Sequence, residues 1–466
     1  MVGSFSRRRF VATLLAFAAV GPLASCAPAA APTPTPAPAK PAEEAKPGAQ
    51  MPTPTPAPAK PAQPTPTATI APVEGARVVL SFWSRFEFLK EATNNYNLGP
   101  GKEKKVQVNF TTVPYAQFVE KLGAAVATKT APDLCSIDLI QCPYFNSIGA
   151  FLDITQDVNA LPYRNDLSKI MLELGTYQGK TYQVPFSSDN SALFYNKKLI
   201  EKAGLDPEKG PVTWDDYVKY AKQATKAPDQ YGTAYASTSG GAFMFLFMPF
   251  VWSNGGDILS KDGKEVLINS PEAEEALKLW VDMIHVHGAT PKDTWRWEWN
   301  DVVAAGKAQK IAMWLYGNWG VAQFKKEAPE IDFNVVLIPR PNKPNAKHAS
   351  FAGGDNAGIL AQTKYRQESW DVIQFLMSEA VQIEFLAKSG IIPIRESFFD
   401  NKYFREDRRY LVFTEALKVG RAPWTPKYNR LYDPLQTNIQ AALAGRKTPK
   451  QALTDLETAL KKILAE

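Results

Sequence analysis

Residues 106–137 read VQVNFTTVPYAQFVEKLGAAVATKTAPDLCSI, and this stretch indicates the fold class. Val106–Phe110 alternates apolar and polar residues, which predicts a β-strand. Tyr115–Ala127 carries apolar residues at helical spacing and predicts an amphipathic helix. Leu134–Ile137 follows a Pro-Asp pair and predicts a second strand. Strand, helix and strand in this order are typical of α/β proteins.

The same alternation continues in both directions along the chain. Arg77–Trp83 (RVVLSFW) predicts the strand that precedes this stretch. Further on, Thr213 with Asp216 three residues later has the pattern of a helix N-cap. Ser270 followed by Pro271 marks another helix start. Because helices intervene between the strands, we expect a mostly parallel sheet.

The length of the globular part bounds the number of lobes. From Ala76 to the C-terminus lie about 390 residues without a second linker. A single compact core rarely grows beyond about 250–300 residues. The chain is therefore expected to form two lobes.

The N-terminus has the features of an exported lipoprotein. Arg7–Arg9 form a positive segment, and Phe10–Val20 is an apolar run too short to remain a membrane span. Leu23–Cys26 matches the site at which lipoprotein signal peptides are cut, so residues 1–25 are predicted to be removed and Cys26 to be lipidated. A chance cysteine after an ordinary signal peptide is the alternative. The three arginines resemble a twin-arginine export signal but also occur in Sec signals, so the export route stays open.

Residues 26–75 are rich in Pro, Ala and Thr and repeat the segment PTPTPAPAKPA at 32–42 and 52–62. This composition cannot bury a core, and each proline lacks a backbone donor. We expect an extended tether of about 3.1 Å per residue, on the order of 150 Å long.

Charge and histidine content argue against several partners. The formal net charge is +6 at pH 7, and the predicted signal peptide holds three of the arginines. Blocks of Lys and Arg with interleaved aromatics are absent from the sequence, so nucleic acid is not an expected partner. With only three histidines, no metal site and no cofactor are predicted.

Two cysteines besides Cys26 would reach an oxidising compartment. Cys135 and Cys142 lie seven residues apart. They could form a disulfide bond or remain as two buried free thiols, and their spacing leaves both alternatives open.

A series of short segments resembles family 1 extracellular solute-binding proteins, the maltose-binding-like sugar receptors of ABC importers. Each segment is weak evidence alone, but their order and spacing together are specific. The resemblance covers roughly residues 77–460. The segments are Gly179–Pro185, Leu193–Leu199, Thr213–Asp216, Asn254–Asp257, Gly317–Trp319, Gly353–Asn356 and Ile392–Arg395.

The resemblance implies a two-lobed, periplasmic-binding-protein-like α/β fold of type II with a ligand cleft between discontinuous lobes. Carried onto this chain, lobe 1 would be residues 76–186 plus 340–394, and lobe 2 residues 187–339 plus 395–466. The implied function is capture of a sugar or oligosaccharide by lobe closure and delivery to an ABC importer permease. The protein would act as a monomer, held at the outer face of the membrane by the lipid on Cys26, and would not be an enzyme.

A sugar presents apolar C–H faces and a ring of hydroxyls, so its receptor needs flat aromatics and hydroxyl-accepting carboxylates. Trp83 and Arg85 end the first predicted strand and are candidates, with a core position as the alternative for Trp83. Asp138 follows the strand Leu134–Ile137, where it could bind a hydroxyl or cap the next helix. Asp189 lies just past the expected crossing between the lobes and is expected to face the ligand.

The remaining candidates lie further along the chain. Trp319 is expected to be the main stacking platform, and Asp355 follows two glycines that allow close approach of the backbone. Trp252 could line the cleft or pack beneath a Gly-Gly turn. Arg395 could donate to the ligand or brace the second crossing. Trp424, between two prolines, is a candidate lid residue.

Trp295-Arg296-Trp297-Glu298-Trp299 is an unusual run of aromatic residues. In a strand the three indoles would share one face, whereas at a helix start only Trp295 and Trp299 would do so. The cluster could extend the cleft to more sugar rings or form an aromatic ridge packed at the surface.

Other functions are weighed against sugar capture. A carbohydrate-active enzyme is the main alternative of another class, but G-x-S-x-G, H-E-x-x-H and P-loop motifs are absent from the sequence. A receptor of the same fold could instead bind a polyamine, a phosphate ester or a metal. A surface adhesion module is the third alternative.

Overall fold

The computed structural model describes residues 72–466. The predicted signal peptide, the lipidation site Cys26 and almost all of the predicted tether lie outside the described residues. The strands are β1 Val78–Ser84, β2 Val106–Thr112, β3 Leu134–Asp138, β4 Thr176–Tyr177, β5 Lys180–Thr181, β6 Gln183–Asn196, β7 Tyr231–Ala234, β8 Ile311–Gly317, β9 Phe333–Val336, β10 Ser350–Ile359 and β11 Gly420–Arg421.

The helices are α1 Leu89–Leu98, α2 Pro100–Lys104, α3 Tyr115–Ala127, α4 Cys142–Ser147, α5 Thr155–Asn159, α6 Lys169–Leu174, α7 Lys197–Lys202, α8 Trp214–Ala224, α9 Gly240–Ala242, α10 Met248–Ser253, α11 Pro271–His285, α12 Trp299–Lys307, α13 Trp319–Glu327, α14 Arg366–Leu376, α15 Glu379–Val381, α16 Lys402–Glu406, α17 Arg409–Lys418, α18 Tyr432–Leu443 and α19 Pro449–Ala465. Short 3-10 turns link several of them, including Leu139–Gln141 and Tyr428–Leu431.

Local sequence signals are confirmed where they are strongest. Helix α3 has the predicted bounds, and β1, β2 and β3 lie within one or two residues of theirs. The Thr213 hydroxyl accepts a hydrogen bond from the Asp216 backbone N–H, and the Asp216 carboxylate accepts one from the Thr213 backbone N–H, which forms a capping box on α8. Ser270 caps α11, because its hydroxyl oxygen accepts a hydrogen bond from the Ala273 backbone N–H.

The main sheet has the strand order β2-β1-β3-β10-β6-β8-β7, with β9 and β11 attached at its sides. The expectation of mostly parallel strands is wrong at the centre of this sheet. β10 runs antiparallel to β3 and β6, and β6 runs antiparallel to β8 and β9. The 14-residue β6 pairs through its first half with β10 and through its second half with β8 and β9. The direction of β6 is therefore set by its pairing with strands in both halves of the sheet, and not by a single connecting helix.

Two large sets of buried side chains lie at the two ends of the main sheet, and a smaller third set packs beside β1 and β3. One set surrounds β1, β2 and β3 and includes Leu80, Phe82 and Trp370. The other surrounds β7, β8 and β9 and includes Trp280 and Trp314. Strands β6 and β10 run between them, so residues at the middle of these strands lie where the lobes meet.

Cys135 and Cys142 are both buried free thiols, which is the second of the two alternatives that their spacing left open. None of the described helices is long and apolar enough to cross a membrane. Within residues 72–466, no group of three or more His, Cys, Asp or Glu side chains has a metal-binding arrangement.

Candidate functional site

Four of the predicted ligand residues lie together in the structure. The Arg85 guanidinium contacts three carboxylates, with Nη2 2.6 Å from Asp355 Oδ1 and 3.5 Å from Asp189 Oδ2. Its Nη1 lies 3.9 Å from Asp138 Oδ2. We refer to Arg85, Asp138, Asp189 and Asp355 as the charged cluster.

The sheet order explains why these four residues meet. Arg85 follows β1, and Asp138 is the last residue of β3, the parallel neighbour of β1. Asp355 is the direct partner of Asp138 across the antiparallel β3–β10 pair. Asp189 is paired with Gly353 across β10 and β6. The cluster thus draws one residue from each of four adjacent strands, although these residues span most of the chain.

Two glycines in β10 make room for the cluster. A Cβ atom at Gly353 would lie 2.0 Å from Asp189 Oδ1, so a larger residue would displace this carboxylate. Gly354 has φ +115°, and a Cβ atom there would lie 2.0 Å from the Ser187 carbonyl oxygen. Both positions therefore need glycine, one for space and one also for its backbone conformation.

The carboxylates of the cluster have unusual proton affinities. Burial raises the pKa of Asp138 to about 6 and that of Asp189 to about 7, although Arg85 opposes both shifts. Burial also raises the pKa of Asp355, against the Arg85 guanidinium and a hydrogen bond from Ser136. Burial lowers the pKa of Arg85, but the three carboxylates outweigh this effect and raise it. One guanidinium thus faces three acids, so acceptor oxygens remain for hydroxyl donors.

An aromatic cluster lies on the second lobe. The Trp319 ring is partly exposed and packs against Tyr316 and Phe245, each with ring centroids 5.4 Å apart, and against Trp299 at 6.5 Å. Phe351 of β10 contacts Phe245 at 5.3 Å. Since Phe351 lies two residues before Gly353, it links the aromatic cluster to the charged cluster along one strand.

Sequence reasoning missed three tyrosines beside the charged cluster. The neighbouring Asp138 is the largest cause that raises the pKa of Tyr115. Burial and then Asp138 raise the pKa of Tyr432 at the start of α18. Tyr428 is buried and packs edge-on against Tyr432, with ring centroids 5.4 Å apart. The tyrosines of the segment 428–432 were the available signal, but their position near Asp138 is a tertiary property.

Trp252 and Trp424 line a cavity of about 980 Å³ to which the four residues of the charged cluster do not contribute. Trp252 is buried, donates through Nε1 to Asp257 at 2.8 Å and stacks on Phe351. Trp424 stacks on Tyr177 with an interplanar angle of 14°. One face of each indole is therefore already covered by another ring.

Trp83 and Arg395 also have other partners. Lys121 of α3 lies 4.6 Å from the centre of the Trp83 ring, on the side of β1 that packs under this helix. Arg395 Nε donates to Asp166 at 3.0 Å, and its guanidinium covers the Tyr163 ring. Contact of these two residues with ligand stays a prediction.

The Trp-rich run 295–299 forms neither a strand nor one continuous helix. Trp295 lies in a 3-10 turn and is covered by Arg296 and Arg446. Trp299 begins α12 and joins the aromatic cluster. The run therefore contributes one indole, not three, to the surface beside Trp319.

The fold and this site together define a two-lobed, type II solute-binding protein. The chain belongs to the bacterial extracellular solute-binding protein family, whose model matches residues 87–383. A binding protein of Brucella abortus is 27% identical over 380 residues, which are 79% of this chain and 87% of that protein. The diacetylchitobiose-binding protein of Streptomyces coelicolor is 23% identical and covers 78% of this chain and 84% of its own length.

Solved structures agree with the fold. The cyclic alpha-maltosyl-1,6-maltose binding protein of Arthrobacter globiformis superposes with a TM-score of 0.73 at 24% identity, covering 83% of this chain and 98% of its own. Family membership makes this chain an exported binding component of an ABC importer, as the resemblance implied.

Proposed function

We propose that this protein captures a sugar or oligosaccharide between its lobes and delivers it to the permease of an ABC importer. The observation that carries the proposal is the charged cluster of Arg85, Asp138, Asp189 and Asp355 together with the partly exposed ring of Trp319, which Phe245 and Phe351 connect to strand β10. The carboxylates accept hydroxyl hydrogens and the indole stacks on the C–H face of a sugar ring. Sugar-binding relatives such as the arabinooligosaccharide-binding protein of Halalkalibacterium halodurans, 23% identical over 73% of this chain and 76% of its own length, support it.

The proposed mechanism is closure of two lobes around the ligand. Lobe 1 is residues 76–186 plus 340–394 and supplies Arg85, Asp138 and Asp355. Lobe 2 is residues 187–339 plus 395–466 and supplies Asp189 and Trp319. Closure removes water from the hydrogen bonds between carboxylates and sugar hydroxyls, which strengthens them.

A thermal-shift screen tests the proposed function. The purified chain is heated with a panel of neutral mono- and oligosaccharides, and with polyamines and phosphate esters in parallel. A ligand that binds only the folded state raises the melting temperature, and the stabilisation grows with the logarithm of its concentration relative to Kd. A rise with a glycan is the expected result, and a rise only with a polyamine or a phosphate ester would contradict the proposal.

We also propose that the protein is a monomer held at the outer face of the membrane by a lipid on Cys26. The lipobox Leu23–Cys26 supports the anchor, and the tether that follows gives the globular part reach. Cys26→Ser should move the protein from the detergent phase to the aqueous phase, whereas Cys135→Ala should leave it in the detergent phase. Unchanged partition of Cys26→Ser would overturn the anchor.

A further inference from the structure

Two amide side chains far apart in the sequence form a reciprocal hydrogen-bonded pair. Gln141 Nε2 donates to Asn429 Oδ1 at 2.8 Å, and Asn429 Nδ2 donates to Gln141 Oε1 at 2.8 Å. Gln141 is buried and Asn429 is exposed. On the proposed lobe boundaries, Gln141 belongs to lobe 1 and Asn429 to lobe 2.

Gln141 is connected to the charged cluster through a short 3-10 turn. It ends the 3-10 turn Leu139–Gln141, and Asp138 caps this turn by accepting a hydrogen bond from the Ile140 backbone N–H at 3.3 Å. Only two residues therefore separate Asp138 of the charged cluster from Gln141. Movement of the Gln141 side chain therefore moves the turn that Asp138 caps.

Asn429 is tied in the same way to the tyrosines of the second lobe. It lies in the 3-10 turn Tyr428–Leu431, which leads directly into α18 at Tyr432. A Cβ atom at Gly240 would lie 2.2 Å from the Tyr432 carbonyl oxygen, so Tyr432 is closely fixed to helix α9. Asn429 is thus attached to the second lobe, as Gln141 is attached to the first.

The pair is suited to reversible contact. Within the described residues, no other hydrogen bond joins these two turns. Both amides also line a cavity of about 540 Å³, so water can replace each partner when the turns separate. Because neither amide carries a charge, neither is left as an unpaired buried ion when the pair opens.

We propose that Gln141 and Asn429 form a clasp that holds the turns Leu139–Gln141 and Tyr428–Leu431 together and sets Tyr432 opposite Asp138 and Tyr115. They are positioning residues for ligand capture, and this role rests on the proposed function. The clasp biases the two lobes toward the closed arrangement before ligand arrives.

The test measures the distance between the lobes in the absence of ligand. Spin labels are attached to Ala124→Cys on α3 and Lys462→Cys on α19, both exposed positions, while the native Cys135 and Cys142 are buried. Pulsed electron resonance then gives the distance distribution in the full chain. Loss of these two hydrogen bonds should change the closed-to-open ratio by about tenfold or more.

Five variants separate a clasp from a general structural role. Gln141→Ala and Asn429→Ala should each shift the distribution to longer distances, and the double variant should add little. The swap of Gln141→Asn with Asn429→Gln should restore the short distance. Gln440→Ala, which removes an amide hydrogen bond to the Trp295 carbonyl within lobe 2, should leave the distribution unchanged.

The clasp is overturned if Gln141→Ala leaves the distance distribution of the parent chain unchanged, or if Gln440→Ala shifts it equally. Additive shifts of the two alanine variants would also overturn it, since they would show independent effects. Failure of the proposed function would show differently, as the absence of a thermal shift with any glycan.

Discussion

Asp355 Oδ1 lies 2.6 Å from Arg85 Nη2, and Asp355 is fully buried while the Arg85 side chain is 18% exposed. β10 brings this carboxylate to the centre of the sheet, where β3 and β6 cover it on both sides. The guanidinium is thus the counter-ion for a charge that water cannot reach. Its Nη1 also lies 3.9 Å from Asp138 Oδ2 and its Nη2 3.5 Å from Asp189 Oδ2, which makes Arg85 the residue that organises the site.

Removal of the guanidinium should destabilise the fold. Arg85→Ala leaves Asp355 buried without a counter-ion, so the free energy of unfolding should fall by about 3–5 kcal/mol. Urea denaturation measures the change. Lys402→Ala is the control, because it breaks an ion pair with Glu384 at a surface where such pairs contribute about 0–1 kcal/mol. Equal losses in the two variants would contradict this account of Arg85.

Loss of the partly exposed Trp319 indole should weaken ligand binding more than it destabilises the fold. Trp319→Ala is expected to reduce affinity for the glycan found in the thermal-shift screen by about 1–3 kcal/mol, the range for a buried aromatic anchor. Titration calorimetry measures it. Trp295→Ala removes an indole covered by Arg296 and Arg446 and should leave affinity unchanged. An unaltered affinity in Trp319→Ala would remove this residue from the site.

Stability should fall as pH rises across the titration range of the charged cluster. Burial raises the folded-state pKa of Asp189 to about 7, whereas an unfolded aspartate titrates near 3.9. Between these values the folded state binds more protons, so the free energy of unfolding falls as pH rises from about 4 to 7. Urea denaturation at pH 5 and pH 8 should give a smaller difference for Asp189→Asn. An equal difference would contradict the raised pKa.

A methyl group added to strand β10 at Gly353 should disturb the candidate site. In Gly353→Ala the new Cβ would lie 2.0 Å from Asp189 Oδ1, so the carboxylate must move and glycan affinity should fall about tenfold or more. Gly241→Ala is the control, since its Cβ would lie 3.6 Å from Tyr432 Cζ, an ordinary contact distance. Fluorescence titration compares the two variants, and loss of affinity in the control alone would contradict the prediction.

Local signals in the sequence were sufficient for individual elements but not for their pairing. The capping residues Thr213 and Ser270 act within one helical turn, so their roles follow from spacing alone. The direction of β6 depends on partners up to about 170 residues away, such as Asp355 opposite Ser187. The expectation of parallel strands missed this, because alternation of helices and strands carries no information about which strands become neighbours.

The residues of the candidate site were likewise only partly predictable from local sequence. Arg85 and Asp138 were selected because they follow predicted strands, whose ends are fixed by local pattern. Asp189 was selected for its position past the expected crossing between the lobes, and Asp355 because it follows two glycines. Trp252 and Trp424 were selected by composition and flanking residues, and the structure packs them against Phe351 and Tyr177 at a separate cavity. Tyr432 and Tyr428 were missed because their role depends on a chain reversal that brings the C-terminal segment to β3.

By itself the sequence determined the fold class, the family and the residue types at the strand ends, since these depend on periodicity and on the order of short segments. Only the tertiary structure decided that one guanidinium serves three carboxylates and that a glutamine of one lobe meets an asparagine of the other. Burial and distance between remote segments set those relationships, and neither quantity is encoded in any local window of residues.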